Sequence, residues 1–205
     1  KANKAIKQIA EAEKFDLIVL DGILKQFPLI SAAIISSVRM DELHEYDLLK
    51  SRLGTVVLLD EHTPVPIRVC YQTPHTLGKD RLAAVVGARV IFPNENVLVF
   101  DSGTALTIEL LDAQGNYLGG NISPGLHMRF AALHQFTQKL PRLHMNPKAP
   151  LLGEDTASAI EAGVQQGILG EVLSYIRYYE KIYTSLKVVF TGGDAFFFVG
   201  TLKNR

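Results

Sequence analysis

Residues 99–104, Val-Phe-Asp-Ser-Gly-Thr, place a carboxylate, two hydroxyls and a glycine at the end of a predicted strand. A glycine turn leaves backbone N–H groups free, so the segment presents an acid, hydroxyls and hydrogen-bond donors in one place. Two kinds of chemistry use such a group: hydrolysis by paired aspartates, and binding of phosphate oxygens by a loop between two strands. A hairpin turn without a catalytic task is the structural alternative.

The hydrolytic alternative is that of the aspartic proteases. Their motif is an apolar pair followed by Asp, Ser or Thr, Gly, and Ser or Thr, and the segment matches it in full. Protease chemistry needs two aspartates that share a proton. Because the chain carries the motif once, a protease would have to be a symmetric dimer, and the glycine motifs that follow would have no task. We therefore favour a phosphate loop at Asp101.

Three further motifs accompany this loop along the chain. In order, the four motifs are Gly78-Lys79-Asp80-Arg81, Asp101-Ser102-Gly103-Thr104-Ala105, residues 119–125 (Gly-Gly-Asn-Ile-Ser-Pro-Gly), and Thr191-Gly192-Gly193-Asp194-Ala195. Each motif alone is weak, but the combination in this order resembles type III pantothenate kinase, of the actin, sugar-kinase and heat-shock ATPase superfamily. The resemblance extends from about Ser36 to Ala195. It implies ATP-dependent phosphorylation of pantothenate to 4′-phosphopantothenate, the first step of coenzyme A biosynthesis.

The resemblance also implies roles for residues around Asp80. Asp80 matches the general base that accepts the proton of the pantothenate hydroxyl, a task that suits a carboxylate. Arg81 could pair with the pantothenate carboxylate through its guanidinium fork. The full set of implied pantothenate contacts is Tyr71, Gly78, Lys79, Asp80, Arg81 and Thr156.

For the nucleotide, the resemblance implies ATP with Mg²⁺ and a monovalent cation, K⁺ or NH₄⁺, at Asp101. A cation between that carboxylate and the phosphates would remove their mutual repulsion. The implied ATP contacts are Gly103, Thr104, Gly192 and Gly193.

Structural alternatives stand beside four of these roles. Asp80 could be the N-cap of the helix that follows it, and Thr156 could cap the long C-terminal helix. Arg81 could be a solvated surface arginine, and Tyr71 a half-buried strand aromatic.

The sequence departs from the family at its N-terminal side. Family members begin with a strand that leads into Asp-x-Gly-Asn-Thr, the first phosphate loop, and the nearest string here, Leu20-Asp21-Gly22, lacks the Asn-Thr pair. We therefore expect a first domain without its opening strands. A catalytically inactive, nucleotide-binding regulatory homologue is the alternative function. An Asp-x-Gly-Asn-Thr motif upstream of Lys1 would favour the kinase.

The elements that must position these residues follow from periodicity and turn signals. We predict helices over 1–14, 40–52, 80–88 and from Gly125 to about Gln138, and a long helix from Asp155-Thr156. We predict strands over 29–35, 55–59, 97–100, 105–111, 117–122 and 187–190. The resemblance implies an α/β fold of two actin-like (ribonuclease H-like) domains with a nucleotide cleft between them. Pro93-Asn94 sets the predicted boundary, giving domains 1–92 and 93–205.

The long C-terminal helix repeats apolar residues at every fourth position: Ile160, Val164, Ile168, Val172 and Ile176. This stripe could pack on the sheet of its own domain, or against a second copy of the chain. Small residues favour the second possibility, because they would let another helix approach closely: Ala157, Gly163, Gly167 and Gly170. The resemblance also implies a homodimer whose pantothenate pocket is completed across the interface.

Composition excludes several other classes. The 205 residues are 47% hydrophobic and 20% charged, which is typical of a packed globular protein. Twenty-one basic and twenty-one acidic residues cancel, so nothing favours a nucleic-acid partner. The single cysteine, Cys70, excludes a disulfide framework and a multi-cysteine zinc site. No apolar run approaches the roughly 18–20 residues of a membrane span, and no leader precedes the first helix, which predicts a cytoplasmic protein.

Overall fold

The computed structural model describes residues 15–36 and 42–202. The helix predicted over residues 1–14 lies outside the described residues. The chain divides into two compact units, which meet in the sequence between Thr63 and Pro64.

The first unit is a small α/β assembly. Its elements are α1 (Leu17–Gln26), β1 (Ala32–Ile35), α2 (Glu42–Lys50) and β2 (Thr55–Leu58), and the two strands pair in parallel. Both strands and α2 are elements that the sequence predicted. The sequence reading missed α1, although the Asp16 carboxylate caps it by accepting a hydrogen bond from Val19 N at 3.0 Å. Leu20 of α1 is buried in the same core as Leu49 and Val56.

The second unit is a five-stranded sheet with helices on both faces. Its elements, in chain order, are β3 (Arg68–Val69), α3 (Lys79–Ile91), β4 (Asn96–Ser102), β5 (Ala105–Leu111), β6 (Asn116–Pro124), α4 (Leu126–Gln135), α5 (Thr156–Glu180), β7 (Leu186–Thr191) and α6 (Ala195–Leu202). The strand order is β3-β6-β5-β4-β7. Strands β4, β5 and β6 form an antiparallel meander, while β3 and β7 lie parallel to their neighbours. The predicted meander followed by a helix is confirmed.

The two faces of this sheet carry different helices. Leu98, Phe100 and Ile108 lie in one core with residues of α4, α5 and α6. Because side chains alternate along a strand, Asp101 and Glu109 point to the opposite face. That face is covered by α3, which contacts β4 and β5.

The apolar stripe of α5 packs on this sheet and not against a second copy. Ile160, Val164, Ile168 and Val172 are buried in the core beneath the sheet, and Ile176 packs against them. The prediction that the stripe forms a dimer interface is therefore wrong, since the sheet of the same chain already covers it. The small residues Gly163, Gly167 and Gly170 lie on the exposed side of the helix.

The two compact units divide earlier in the chain than the boundary predicted at Pro93-Asn94. The physical reason is α3, which packs on β4 and β5 through Leu82, Val85 and Ala88 on its buried side. Residues 64–92 also supply β3, which extends the sheet at the edge of β6.

Candidate active site

The Asp101 segment forms the turn between β4 and β5, as predicted. Asp101 lies next to the last residue of β4, and Gly103 N closes the turn by donating to the Ala105 carbonyl oxygen at 2.9 Å. The Thr104 side chain is exposed, whereas Asp101 is half-buried. The turn is thus a loop at the end of two paired strands, which is the geometry a phosphate loop requires.

Gly192, the first glycine after β7, lies directly against this turn. Strand β7 pairs with β4 so that Thr191 is opposite Asp101. Gly192 has a φ of 88°, and a Cβ on it would overlap Asp101 Oδ1 and the Ser102 carbonyl oxygen. Asp194 N donates to that same carbonyl oxygen at 3.0 Å. Only a glycine fits at position 192, for reasons of both backbone conformation and space.

A third segment meets the turn at the start of α4. Gly125 N donates to the Thr104 carbonyl oxygen at 3.0 Å, and a Cβ on Gly125 would overlap the carbonyl oxygens of Gly103 and Thr104. The first residues of α4 therefore lie beside the loop, where the positive end of the helix dipole favours an anion. His127 Nε2 lies 3.3 Å from Asp194 Oδ1, which links α4 to the glycine segment.

Asp80 lies in the first turn of α3, with its side chain exposed. The N-cap of α3 is Gly78, so the structural alternative that Asp80 caps this helix is wrong. The carboxylate folds back over Gly78, where a Cβ would overlap Asp80 Oδ1, and that oxygen accepts a hydrogen bond from Arg81 N at 2.8 Å.

Arg81 is buried, not a solvated surface arginine. Its fork is engaged by Glu109 of β5, through Nε–Oε1 at 2.6 Å and Nη2–Oε2 at 2.8 Å. Tyr117 of β6 completes the group by donating its hydroxyl to Glu109 Oε2 at 2.6 Å. The carboxylate that pairs with Arg81 in this structure therefore belongs to a protein side chain.

Tyr71 is half-buried beside this group but lies just after β3 and not in a strand. Its ring stacks on Tyr117 at a centroid distance of 6.2 Å and lies 5.5 Å from the Arg81 guanidinium carbon. Tyr71 also lines a recess of about 430 Å³ together with Gly119 and Gly120.

Glu109 and Tyr117 are residues that the sequence reading missed. A signal was present, because Glu109 is the one charged residue in the otherwise apolar or uncharged strand 105–111, Ala-Leu-Thr-Ile-Glu-Leu-Leu. A carboxylate at such a position requires a buried partner.

The carboxylates of this face interact. Burial raises the pKa of Asp101, and the negative charges of Asp80 and Glu109 raise it further. With the Arg81 fork already bound to Glu109, the site carries more negative than positive charge. In addition, the buried Thr107 Oγ1, on the residue opposite Asp101 in β5, has no hydrogen-bond partner among the described residues.

A monovalent cation fits this arrangement. It would favour the ionised form of Asp101, and the Thr107 hydroxyl is a neutral oxygen of the kind that such ions accept. Within residues 15–36 and 42–202, no group of three or more His, Cys, Asp or Glu side chains is arranged to hold a metal ion.

Thr156 belongs to the helical layer on the other face of the sheet. It is the first residue of α5, and the N-cap is Asp155, which forms a capping box with Ser158. The structural alternative that Thr156 itself caps the helix is therefore wrong. Thr156 is exposed and lines an apolar groove of about 1080 Å³ between α4 and α5. That groove is on the sheet face opposite α3, the helix that carries Asp80.

Asp21 and Gly22, the nearest string to a first phosphate loop, lie inside α1. The Asp21 carboxylate pairs with Arg52 Nε at 3.0 Å on the surface. These two residues therefore do not form a loop after a strand. No helix in the described part of the chain is long and apolar enough to span a membrane.

Comparison with known proteins gives a consistent result. Residues 4–178 match the family model of type III pantothenate kinase. A type III pantothenate kinase of Bacteroides fragilis is 51% identical over 149 residues, which cover 73% of this chain and 61% of that protein. Those of Phocaeicola vulgatus and Porphyromonas gingivalis are 40% and 41% identical, over 96% and 95% of this chain and 81% and 75% of their own lengths.

A solved structure has the same fold. The crystal structure of a conserved Campylobacter jejuni protein, assigned to the Baf family of transcriptional activators, matches with a TM-score of 0.56 and 23% identity. The match covers 89% of this chain and 77% of that one. At this identity the likeness concerns the fold alone.

Proposed function

This chain belongs to the type III pantothenate kinase family, and we propose that the protein transfers the γ-phosphoryl group of ATP to the primary hydroxyl of pantothenate. The observation that carries the proposal is the convergence of three glycine segments on Asp101, with Asp80 near enough for its charge to act on Asp101. Such a loop can hold phosphates beside a carboxylate base.

Asp80 acts as the general base. Its carboxylate is exposed at the start of α3, so a substrate hydroxyl can reach it and lose its proton to it as the oxygen attacks phosphorus. The residues proposed to contact pantothenate are Tyr71, Gly78, Lys79, Asp80 and Arg81. The recess beside Tyr71 supports this placement. Because the Arg81 guanidinium is bound to Glu109, Arg81 contributes to pantothenate binding through its backbone and through its place beside Asp80.

The nucleotide phosphates bind at the turn between β4 and β5. Gly103 and Thr104 supply the turn itself and Gly192 lies against it, while the space beside Gly193 is open, so neither glycine obstructs a ligand. ATP arrives with Mg²⁺, which neutralises part of the triphosphate charge. A monovalent cation binds at Asp101, where the excess negative charge and the unpaired Thr107 hydroxyl support it.

The finer architecture is also part of this proposal. The family implies two actin-like domains with ATP bound in a cleft between them. The antiparallel meander of β4, β5 and β6 followed by α4 supports the second of these domains.

We further propose a homodimer in which Thr156 completes the pantothenate site of the partner. Thr156 begins α5, which packs on the sheet face opposite α3 and Asp80, and a site shared between two copies would bring Thr156 of one copy to Asp80 of the other. The apolar groove beside Thr156 and the exposed glycines of α5 leave this face suited to a second copy.

The test is product formation by the full-length protein. With ATP, Mg²⁺, K⁺ and pantothenate, we expect mass spectrometry to detect 4′-phosphopantothenate. The inactive regulatory homologue predicts nucleotide binding without this product. The relatives at 40–51% identity are named as kinases and give no support to that alternative.

A further inference from the structure

We propose that Glu109 is a positioning residue for Asp80 and acts on it through Arg81. The inference rests on the proposed function, because it assumes that Asp80 is the base. It assigns a catalytic consequence to a buried ion pair.

The Arg81–Glu109 ion pair is buried from solvent. Arg81 is 5% exposed and Glu109 is fully buried. Two parallel N–H···O bonds of 2.6 and 2.8 Å join them, which is the geometry that fixes both the distance and the plane of the guanidinium. Glu109 and Tyr117 raise the pKa of Arg81, so the fork stays charged.

Strand β6 holds Glu109 in place from the other side. Tyr117 donates to Glu109 Oε2 at 2.6 Å and accepts from Arg81 Nη2 at 3.1 Å, so the three side chains form a closed ring of hydrogen bonds. Gly120, opposite Glu109 in the sheet, provides the space, since a Cβ there would overlap Glu109 Oε2. The carboxylate therefore has one position available to it.

This anchor reaches Asp80 through the backbone. Arg81 follows Asp80 directly in the first turn of α3, and the preceding N-cap, Gly78, has no side chain to hold the helix start. Fixing the Arg81 side chain to β5 sets the rotation of α3 about its axis, and with it the direction of the Asp80 carboxylate. Arg81 N also donates to Asp80 Oδ1 at 2.8 Å, which ties the carboxylate to the anchored residue.

The charge of Glu109 has a second effect on the base. Without Glu109, the buried guanidinium would lack a counter-charge and would turn toward another carboxylate. Asp80 is adjacent to it, and Asp101 lies on the same face of the site. Glu109 thus keeps Arg81 from pairing with the carboxylate that must accept the substrate proton.

A buried ion pair need not stabilise a fold, because desolvation of the two charges offsets their attraction. An Arg–Glu pair beneath the proposed base is therefore better explained by placement of that base than by stability.

The test is a double-mutant cycle in the full-length protein, with Asp80→Asn and Glu109→Gln alone and combined. We expect Glu109→Gln to lower kcat by about 10²-fold, as a misplacement of about 1 Å can do, with a much smaller change in the KM for pantothenate. In the Asp80→Asn background, Glu109→Gln should cost nothing further, because the residue it positions is already absent. The stoichiometry of ATP binding measures the fraction of folded protein in each sample, so that kcat is compared per folded molecule.

Two further variants separate charge from placement. Glu109→Asp keeps the charge but is one methylene shorter, so we expect it to recover part of the lost kcat. Tyr117→Phe keeps the ion pair and replaces Glu109→Gln as the test variant if Glu109→Gln does not fold. It should show a smaller fall in kcat with the same lack of additivity. Glu95→Gln removes a surface carboxylate that pairs with Lys187 and serves as the matched control with unchanged kcat.

Two results would overturn this inference while the wild-type protein remains a pantothenate kinase. The first is that the kcat losses of Asp80→Asn and Glu109→Gln multiply in the double variant. The second is that Glu109→Gln leaves kcat unchanged. A wild-type protein that transfers no phosphate to pantothenate overturns the proposed function itself, and with it the base that Glu109 would position.

Discussion

Asp80 and Thr156 lie on opposite faces of the same five-stranded sheet. Asp80 belongs to α3, which covers the face of Asp101 and Glu109, while Thr156 begins α5, which packs on the face of Phe100 and Ile108. Two residues assigned to one substrate are thus separated by a sheet within a single chain. The separation is explained if each pantothenate site takes Thr156 from a second copy.

Complementation between two inactive variants tests this arrangement. A mixed dimer of an Asp80→Asn chain and a Thr156→Val chain contains one intact site, formed by Asp80 of one copy and Thr156 of the other. Random pairing makes about half of the dimers mixed, so we expect co-expression to restore about a quarter of the wild-type rate.

The control for complementation is co-expression of Asp80→Asn with the Asp80→Asn, Thr156→Val double variant, in which no intact site can form. No restoration in the first mixture, or full activity of Thr156→Val alone, would contradict a shared site.

Salt identity tests the cation at Asp101. At equal ionic strength, K⁺ should support tighter ATP binding than Na⁺, because a bound ion is selected by size and not by bulk screening. In Asp101→Asn the difference between the two salts should disappear. Calorimetry in KCl and in NaCl measures the Kd for ATP. Equal Kd values in the two salts for the wild-type protein would contradict a cation site at Asp101.

The raised pKa of Asp101 predicts a stability change with a definite sign. Between the ordinary Asp pKa of 3.8 and the raised value, the folded chain holds a proton that the unfolded chain has released. The associated stability is present at low pH and is lost as the pH rises through the raised pKa. Asp101→Asn cannot ionise, so without nucleotide it should have a higher Tm than wild type at neutral pH.

That Tm difference should shrink as the pH falls toward and below 3.8, because wild-type Asp101 is protonated in both states only below that value. Thermal unfolding followed by circular dichroism at several pH values measures it. A lower Tm for Asp101→Asn at neutral pH would show that Asp101 stabilises the fold, contrary to this account.

The burial of the α5 stripe predicts the effect of a charge at Val164. Val164 is 7% exposed in the core, so Val164→Asp should destabilise the chain by about 3–5 kcal/mol or prevent folding, and should not yield a folded monomer. Val90→Asp, at a 48% exposed helical position, is the matched control and should change stability by at most about 1 kcal/mol. Urea unfolding of both variants measures the difference, and a stable, monomeric Val164→Asp protein would contradict the core packing.

Local signals were sufficient for the meander and for α5 of the second unit. The alternation and turn residues of 97–122 predicted the meander, and Asp155 with the apolar repeat predicted α5, because these patterns are strong and short in range. The position of Asp101 at a strand end followed from the same signals.

Long-range packing explains what the sequence did not reveal. The partner of the α5 stripe could not be chosen, because an apolar face packs equally well on a sheet of its own chain or on a second copy. Arg81 and Glu109 lie on different elements, α3 and β5. No local sequence pattern predicts which carboxylate will pair with a given arginine. The short strand β3 was missed because its two residues carry no periodicity.

The most direct test of the central claim compares the wild-type protein with Asp80→Asn for transfer of phosphate from ATP to pantothenate, with ATP binding measured on the same samples. We expect the wild type to form 4′-phosphopantothenate, and Asp80→Asn to bind ATP equally well but turn over about 10²–10⁴-fold more slowly, the usual contribution of a general base. Asp21→Asn, a change to a surface carboxylate in α1, should leave both quantities unchanged. Near wild-type turnover by Asp80→Asn, or no product from the wild type, would contradict the account.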